Sequence, residues 1–285
     1  MACSVDCAGV GVGLDGGEEL AAQNVVLALG ASEQPAWPDW APRGDPRVQH
    51  VFEPGFGPSL GASETIAVVG GGISAAQIAL RLLDEGHRVH LVSRHPLREH
   101  QFDSDPGWIG PKLMTGFSRV RDYDRRRAMI AEARHRGSVP PDVRRVLARA
   151  IEHGHLSWHE GQVEALDPGR DGIALRLAAD PSALEVERVV LATGFSSRRP
   201  GGAMIDRLVA SASLPCARCG YPIVDSALRW HPRIHVSGPL AELELGPVAR
   251  NIVGARRTGD RLVAALRSTG SRPSGPFSVP RRTTA

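Results

Sequence analysis

Residues 65–93 read TIAVVGGGISAAQIALRLLDEGHRVHLVS, and this stretch constrains the fold more than any other in the chain. Thr65–Val69 is a short β-branched, apolar run of the kind that forms a strand buried on both faces. Gly70, Gly71, Gly72, Ile73, Ser74 and Ala75 follow at once and fit the pattern G-x-G-x-x-A. Over residues 74–85 apolar side chains recur at helical spacing (Ala75, Ile78, Ala79, Leu82, Leu83), and Gly86 supplies the stop. Residues 88–92 alternate into a second strand. A strand, a glycine turn, a helix and a strand within about thirty residues are the context that gives the glycine pattern its meaning. The unit predicts an α/β chain with a Rossmann-like domain.

Each position in the pattern has a physical task. Gly70 permits the tight turn, Gly72 lets the backbone approach a pyrophosphate, and Ala75 lets helix and strand pack closely. The helix start offers free N–H groups and the positive end of the helix dipole to an anion. Residues 70–75 are therefore expected to bind a dinucleotide. About twenty residues beyond the glycines, an acid usually marks the ribose hydroxyls of NAD. Here that place reads Ser93, Arg94, His95, with no carboxylate. A guanidinium grips a 2′-phosphate with two parallel hydrogen bonds, so NADPH is expected rather than NADH, with Ser93 and Arg94 beside the phosphate.

The rest of the chain bounds the answer. At 285 residues, 42% hydrophobic and 23% charged, it has the make-up of a globular protein of one or two domains. A net charge of +3 gives no argument for a nucleic-acid partner. No apolar run reaches the ~18 residues of a membrane span, and the N-terminus lacks the basic and apolar parts of a secretory signal. A cytoplasmic location and a small-molecule substrate are expected. The basic run at 119–127 reads as the solvated face of a helix over about 120–136. A second helix follows Pro140 and Pro141, residues 156–166 and 172–179 alternate like strands, and a further helix is expected from Pro247. His153, His155 and His159 lack ligand-like spacing and read as surface residues, so no metal site is expected.

One phrase occurs twice. VVLATGF at residues 189–195 has a near-copy, VVLALG at 25–30, yet the flanks do not match, which excludes a tandem repeat. With these phrases the chain resembles the two-dinucleotide-binding flavoproteins. Within them it is most similar to the NADPH-dependent flavin monooxygenases of the ornithine/lysine N-hydroxylase group. The resemblance implies an NADPH domain inserted into an FAD domain, the two phrases being the strands that bracket the insert. Residues 31–40, ASEQPAWPDW, resemble the linker into that insert, and His50 the histidine found just before it. Residues 187–195 resemble the N-hydroxylase pattern D-x-x-x-(L/F)-A-T-G-Y, which implies a cofactor role for Thr193 and Gly194. The segment IHVSGPLAELELGPVARNI implies that Gly238, Gly246, Pro247 and Asn251 lie against the flavin. The implied organisation is 1–61, a remnant of the FAD domain with the linker; 62–185, the NADPH domain; 186–267, the C-terminal part of the FAD domain; and 268–285, a disordered tail.

Two departures from the family qualify that expectation. Residues 103–112, DSDPGWIGPK, stand where N-hydroxylases carry D-D-S-x-F-x-N-E, and only the Asp-Ser part matches. The opening residues lack the first G-x-G-x-x-G of the FAD domain; GVGVG at 9–13 precedes a turn, not a helix, and resembles a late β-meander. The expected function is an FAD- and NADPH-dependent oxidoreductase that hydroxylates a small nucleophile. The alternative is a truncated or degenerate NADPH-binding module without independent catalysis. A homo-oligomer, or a companion chain supplying the absent FAD segment, is the partner this organisation calls for. Two further readings are weaker. Cys216 and Cys219 form a C-x-x-C, but far downstream of the glycines rather than before them, as thioredoxin-reductase-like enzymes have it. Ser59 sits in G-P-S-L-G, where a strand follows instead of the helix that a nucleophile elbow needs.

Overall fold

The computed structural model describes residues 2–5, 9–31, 33–57, 63–178 and 180–268. They form two compact units: one from the segments up to Leu29 and from Gly202 onward, the other Gly30–Gly201. The first unit opens with β1 (Ala2–Val5), β2 (Val10–Gly13) and β3 (Glu19–Ala22), an antiparallel meander that takes in GVGVG, and continues into β4 (Val25–Leu27). The second unit holds β5 (Val48–His50), β6 (Thr65–Val69), α1 (Ile73–Asp84), β7 (Arg88–Ser93), β8 (Arg98–Glu99), α2 (Pro111–Arg119) and α3 (Tyr123–Ala133). It continues with β9 (Ser138–Val139), α4 (Pro141–Glu152), β10 (Leu156–Glu160), β11 (Val163–Pro168), β12 (Ile173–Leu177), β13 (Asp180–Val186) and β14 (Arg188–Leu191). The chain returns to the first unit with α5 (Gly202–Ala212), β15 (Arg229–His231), β16 (Ile234–Val236), α6 (Glu242–Leu245) and α7 (Ile252–Ser268).

The second unit is built on a sheet of order β10-β7-β6-β14-β5 in which every neighbouring pair is parallel. Such a sheet needs cover on both faces, and β6 shows how the sequence supplies it. Ile66 and Val68 point to one face and pack with Ala75, Ala76, Ile78 and Leu82 of α1 and Leu147 of α4. Ala67 and Val69 point to the other and pack with Val163, Ile173 and Leu175 of the antiparallel β11–β12–β13 meander. This is the period-two alternation of a strand, with both sets apolar. The chain is a mixed α/β protein with a parallel sheet, as its glycine unit predicts. In the first unit β16 pairs parallel with β4 and antiparallel with β15, and its core gathers Leu27, Ile205, Leu208, Trp230, Val236 and Leu245.

Several expectations are redrawn. The helix expected over 120–136 starts at Tyr123, because Asp122 accepts hydrogen bonds from the N–H groups of Asp124 and Arg125 and caps it. The loop before it contains α2, started by Pro111 in the first turn. The basic run is not wholly solvated: the Arg126 guanidinium lies over the rings of Phe117 and Tyr123. The helix expected from Pro247 begins as a 3-10 turn, Pro247–Arg250, and α7 starts only after Asn251. Of the two copies of the phrase, β14 stands between β6 and β5 in the second unit's sheet, and β4 lies in the first unit. The second compact unit, 30–201, takes in both β5 and β14 as strands of its sheet. Ser59 and the tail after Ser268 lie outside the described residues. No helix among the described residues is long and apolar enough to cross a membrane.

Candidate functional site

Strand order reverses at β6: α1 carries the chain to β7 on one side, and β14 lies on the other. A crevice opens at such a switch point, outside the carboxyl ends of the strands. Gly70 stands there, its N–H donating to Val92 O at 2.9 Å. Its φ is +156°. A Cβ on Gly70 would collide with Ala192 O, lie 2.9 Å from Ala192 C, and come within 3.1 Å of the Ala75 Cβ. Glycine is required at 70 by the backbone of β14, and alanine suits 75 for the reason the sequence gives, close strand–helix packing.

Gly72 is the N-cap of α1, in extended backbone and without a capping side chain. The N–H of Ala76 donates to Gly72 O at 3.1 Å. By helix geometry the N–H groups of Ile73, Ser74 and Ala75 have no intrahelical acceptor. No acidic residue stands in the first turn of α1. Free donors and an uncompensated dipole end together make an anion seat.

The flanking residues divide into those available to a ligand and those engaged elsewhere. Arg94 is exposed, and among the described residues nothing engages its guanidinium. Ser93 is buried; its hydroxyl donates to His95 O at 2.9 Å and accepts from Trp158 Nε1–H at 2.9 Å. Ser93 therefore shapes the turn that carries Arg94. The Thr193 hydroxyl is likewise engaged within the protein: it donates to Ala36 O and accepts from His50 Nε2–H at 3.0 Å. Gly194 O accepts from Ala36 N–H at 2.8 Å, and Phe195 bridges Pro35. The Thr-Gly-Phe end of β14 thus clasps the 34–37 segment. His159 is not a plain surface residue; its Nε2 lies 3.0 Å from His90 Nδ1. Burial first, then His159 and Arg88, push the His90 imidazole down from its ordinary value.

Gly238, Gly246, Pro247 and Asn251 lie in the first unit. Gly238 (φ +60°) opens a 3-10 turn to Ala241, and Gly246 (φ +74°) separates α6 from the turn at Pro247. These elements are four residues each, too short to present a helix dipole. Pro247 is buried, and the Asn251 side chain accepts from Gly254 N–H at 3.1 Å to cap α7. Nearby, Arg250 joins buried Glu242 (2.8 Å) to Tyr221 Oη (2.8 Å). Among the described residues the first unit holds no glycine-rich strand-to-helix turn like that at 70–75. A nicotinamide dinucleotide does fit the second unit: the glycine cradle, the open helix start and Arg94 are all in place.

Residues 3–252 match the family model described as pyridine nucleotide-disulphide oxidoreductase. No curated protein sequence matches the chain. Among solved structures it is similar to ornithine hydroxylase (PvdA) from Pseudomonas aeruginosa, at TM-score 0.64 and 19% identity over 91% of this chain and 68% of that one. It is similar also to the ornithine N-hydroxylase KtzI of Kutzneria sp. 744, at TM-score 0.70 and 20% identity, covering 92% of this chain and 68% of that one. The bacillithiol disulfide reductase Bdr (YpdA) from Bacillus cereus matches at TM-score 0.61 and 16% identity, over 95% and 70%. Likenesses at such identities show the fold, shared by hydroxylases and disulfide reductases alike. The family match over most of its length is what places the protein: the chain belongs to the pyridine nucleotide-disulphide oxidoreductases, a family of FAD- and NAD(P)-binding oxidoreductases.

Proposed function

We propose that the chain holds NADPH at residues 70–75 and Arg94 and serves an FAD-dependent oxidoreductase of the monooxygenase type, acting on a small nucleophilic substrate. The observation that carries the reading is the glycine cradle closed by Ala192 O, with an unengaged arginine and no carboxylate at the end of β7. When bound, the nucleotide supplies a hydride. The chain's own residues seat its diphosphate on the N–H groups that open α1 and grip the extra phosphate with Arg94. The hydroxyls of Ser93 and Thr193 keep the two strand ends that frame the crevice in register. The likeness to two ornithine hydroxylases is in keeping with this reading, and the likeness to a disulfide reductase does not separate it from the next.

A second reading, disulfide reduction, draws on the bacillithiol disulfide reductase likeness and on the C-x-x-C pair Cys216 and Cys219. Cys216 precedes, and Cys219 lies within, a tight turn in which Gly220 N–H donates to Ala217 O at 2.8 Å. Mutating both cysteines decides between the readings: unchanged NADPH oxidation removes the reductase. Flavin content of the purified chain tests the flavoprotein claim itself. A colourless preparation favours the alternative, a nucleotide-binding module without independent catalysis or one whose flavin seat a companion chain completes. For the nucleotide, Arg94→Ala is expected to raise the Kd for NADPH about tenfold or more and to leave NADH within about twofold, as loss of a charge-assisted pair requires. Equal losses for both nucleotides in a binding titration would refute the role of Arg94.

A further inference from the structure

Residues 214–225 read LPCARCGYPIVD and wind as a tight hairpin. Besides the Gly220 to Ala217 bond that closes the turn, Ala217 N–H donates to Tyr221 O at 2.9 Å, and Cys216 bridges Pro222 antiparallel. Gly220 takes φ +80°, the left-handed conformation that a hairpin turn with one extra residue requires. Both arms of the hairpin are anchored. Pro215 O accepts from Trp230 Nε1–H at 2.8 Å and from Ile223 N–H at 3.0 Å. Tyr221 is buried, and its hydroxyl accepts from Arg250 at 2.8 Å. The tip, by contrast, reaches solvent: Arg218 is exposed, and Cys216 and Cys219 are half-buried. Two thiols are thus held three residues apart on a rigid, accessible turn.

A thiolate pair at this spacing on a turn is a bidentate ligand for a soft cation, and structural Zn2+ sites are built from such pairs. Zn–S bonds of about 2.3 Å at a tetrahedral angle ask for sulfurs about 3.8 Å apart, a span within reach of residues three apart in a turn. A structural zinc site is closed by four donors. Among the described residues no third His, Cys, Asp or Glu stands with this pair in a group that could hold a metal. Burial pushes the Cys3 thiol up, away from the thiolate that a ligand must be. The spacing of the histidines, which argues against a metal among them, does not bear on these thiols. The pair is half of a donor set. A two-fold axis through the ion supplies the other half, because a symmetric contact brings the same turn from a second chain. Four thiolates around one Zn2+ leave two negative charges, and the two Arg218 guanidiniums at the tips carry the opposite sign. Arg218 is the only charged residue between Ser213 and Val224.

We infer that the 216–220 hairpin is half of a structural zinc site, closed when a second copy of the chain brings the same cysteine pair to the same ion. Each thiol gives up its proton on ligation, and no oxidant or reductant is involved. The inference is independent of the nucleotide reading, whose residues lie in the other compact unit. It does bear on the second reading of the function, since thiolates held by zinc are not available to reduce a disulfide.

The test uses the full chain under reducing conditions, with zinc read by elemental analysis and mass by analytical ultracentrifugation. The native chain is expected to carry about one zinc for every two chains and to sediment as a dimer. A chelator should return it to a monomer, and Zn2+ added back should restore the dimer. Co2+ in place of Zn2+ should give the intense visible bands of a tetrahedral thiolate site. Cys219→Ser is expected to lower the zinc to about a tenth of the native content or less and to stay monomeric in added Zn2+. A chain carrying Cys3→Ser and Cys7→Ser together should keep both the zinc and the dimer. One zinc per chain without a change in mass, a mass indifferent to chelator and to Zn2+, or a native chain that takes up no zinc overturns the inference. Loss of the metal in the Cys3→Ser, Cys7→Ser chain overturns it too. The chelator and add-back steps are read on the native chain, so they decide the matter even where the Cys219→Ser chain folds poorly. Failure to bind NADP+ overturns the nucleotide reading alone.

Discussion

The hydroxyl of Thr193 donates to Ala36 O, so toward His50 Nε2, 3.0 Å away, it can only accept. On the far side of the ring, Phe52 N–H donates to Nδ1 at 3.2 Å. Both contacts require the neutral Nε2–H tautomer, and the residue is fully buried. Burial lowers the His50 imidazole below its ordinary 6.5, and Glu53 only partly opposes this. A histidine with a lowered folded pKa stabilises the fold fully above the unfolded value, and that contribution is lost as pH falls below about 6.5. The loss is bounded at about 2 kcal/mol by pH 5, since each unit is worth about 1.4 kcal/mol. Denaturant unfolding should therefore show the native chain losing stability more steeply than His50→Gln on acidification; parallel pH profiles would exclude the assignment. At this scale the sequence is legible where a local backbone demand fixes the residue, as at Gly70 and Ala75. It is illegible where availability depends on distant partners. Ser93 is engaged by a tryptophan 65 residues away and Thr193 by a carbonyl 157 residues away, and neither distance leaves a mark in the local pattern.

Elements were legible where periodicity runs uninterrupted, and misjudged where a short irregularity resets it. β6, α1 and β7 follow their pattern almost residue for residue. α7 shows the other case. Its apolar spacing is helical from Pro247 onward, yet the first four residues wind as a 3-10 turn and the helix restarts after Asn251. The reason lies at Gly254, where a Cβ would run into Val248 O and stand 2.6 Å from Ala249 Cα. The turn folds back over the helix it precedes, and only a glycine lets the backbones approach so closely. Gly259, one and a half turns further along the same helix, has nothing within 4 Å of its Cβ position. Two substitutions in one helix are thus expected to act with opposite sign. Gly254→Ala should destabilise by about 2–3 kcal/mol, since the obstructing atoms are backbone and cannot rotate away. Gly259→Ala should stabilise by up to about 1 kcal/mol through helix propensity. Urea unfolding of both variants checks the pair, and a Gly254→Ala chain as stable as the native one would show that the turn yields. α5 opens on the double glycine Gly201–Gly202, punctuation that reads as loop although Ile205 and Leu208 are buried at helical spacing.

For the whole molecule, the pattern predicts the α/β class and the position of the nucleotide seat, but not which strands complete the sheet. Parallel neighbours are distant in sequence, so β5 and β14 carry no local sign of pairing with each other and with β6. Val189, Val190 and Leu191 are nevertheless almost wholly buried between those neighbours. A unit cut at 62–185 would lose β14 and leave the far edge of β6, an apolar strand, without its partner. A unit cut at 30–201 keeps all five strands and both covering layers. The fragment 30–201 is accordingly expected to unfold in one cooperative transition and to bind NADP+ within about threefold of the full chain. The fragment 62–185 should aggregate or show no transition, because an unpaired buried strand exposes both its hydrogen-bonding edge and its apolar faces. Calorimetry and NADP+ titration of the two fragments settle the matter. If 62–185 melts cooperatively and binds as tightly as 30–201, then the Ala192 carbonyl that follows β14 and walls the Gly70 cradle is dispensable, and the nucleotide seat depends on the glycine turn and its helix alone.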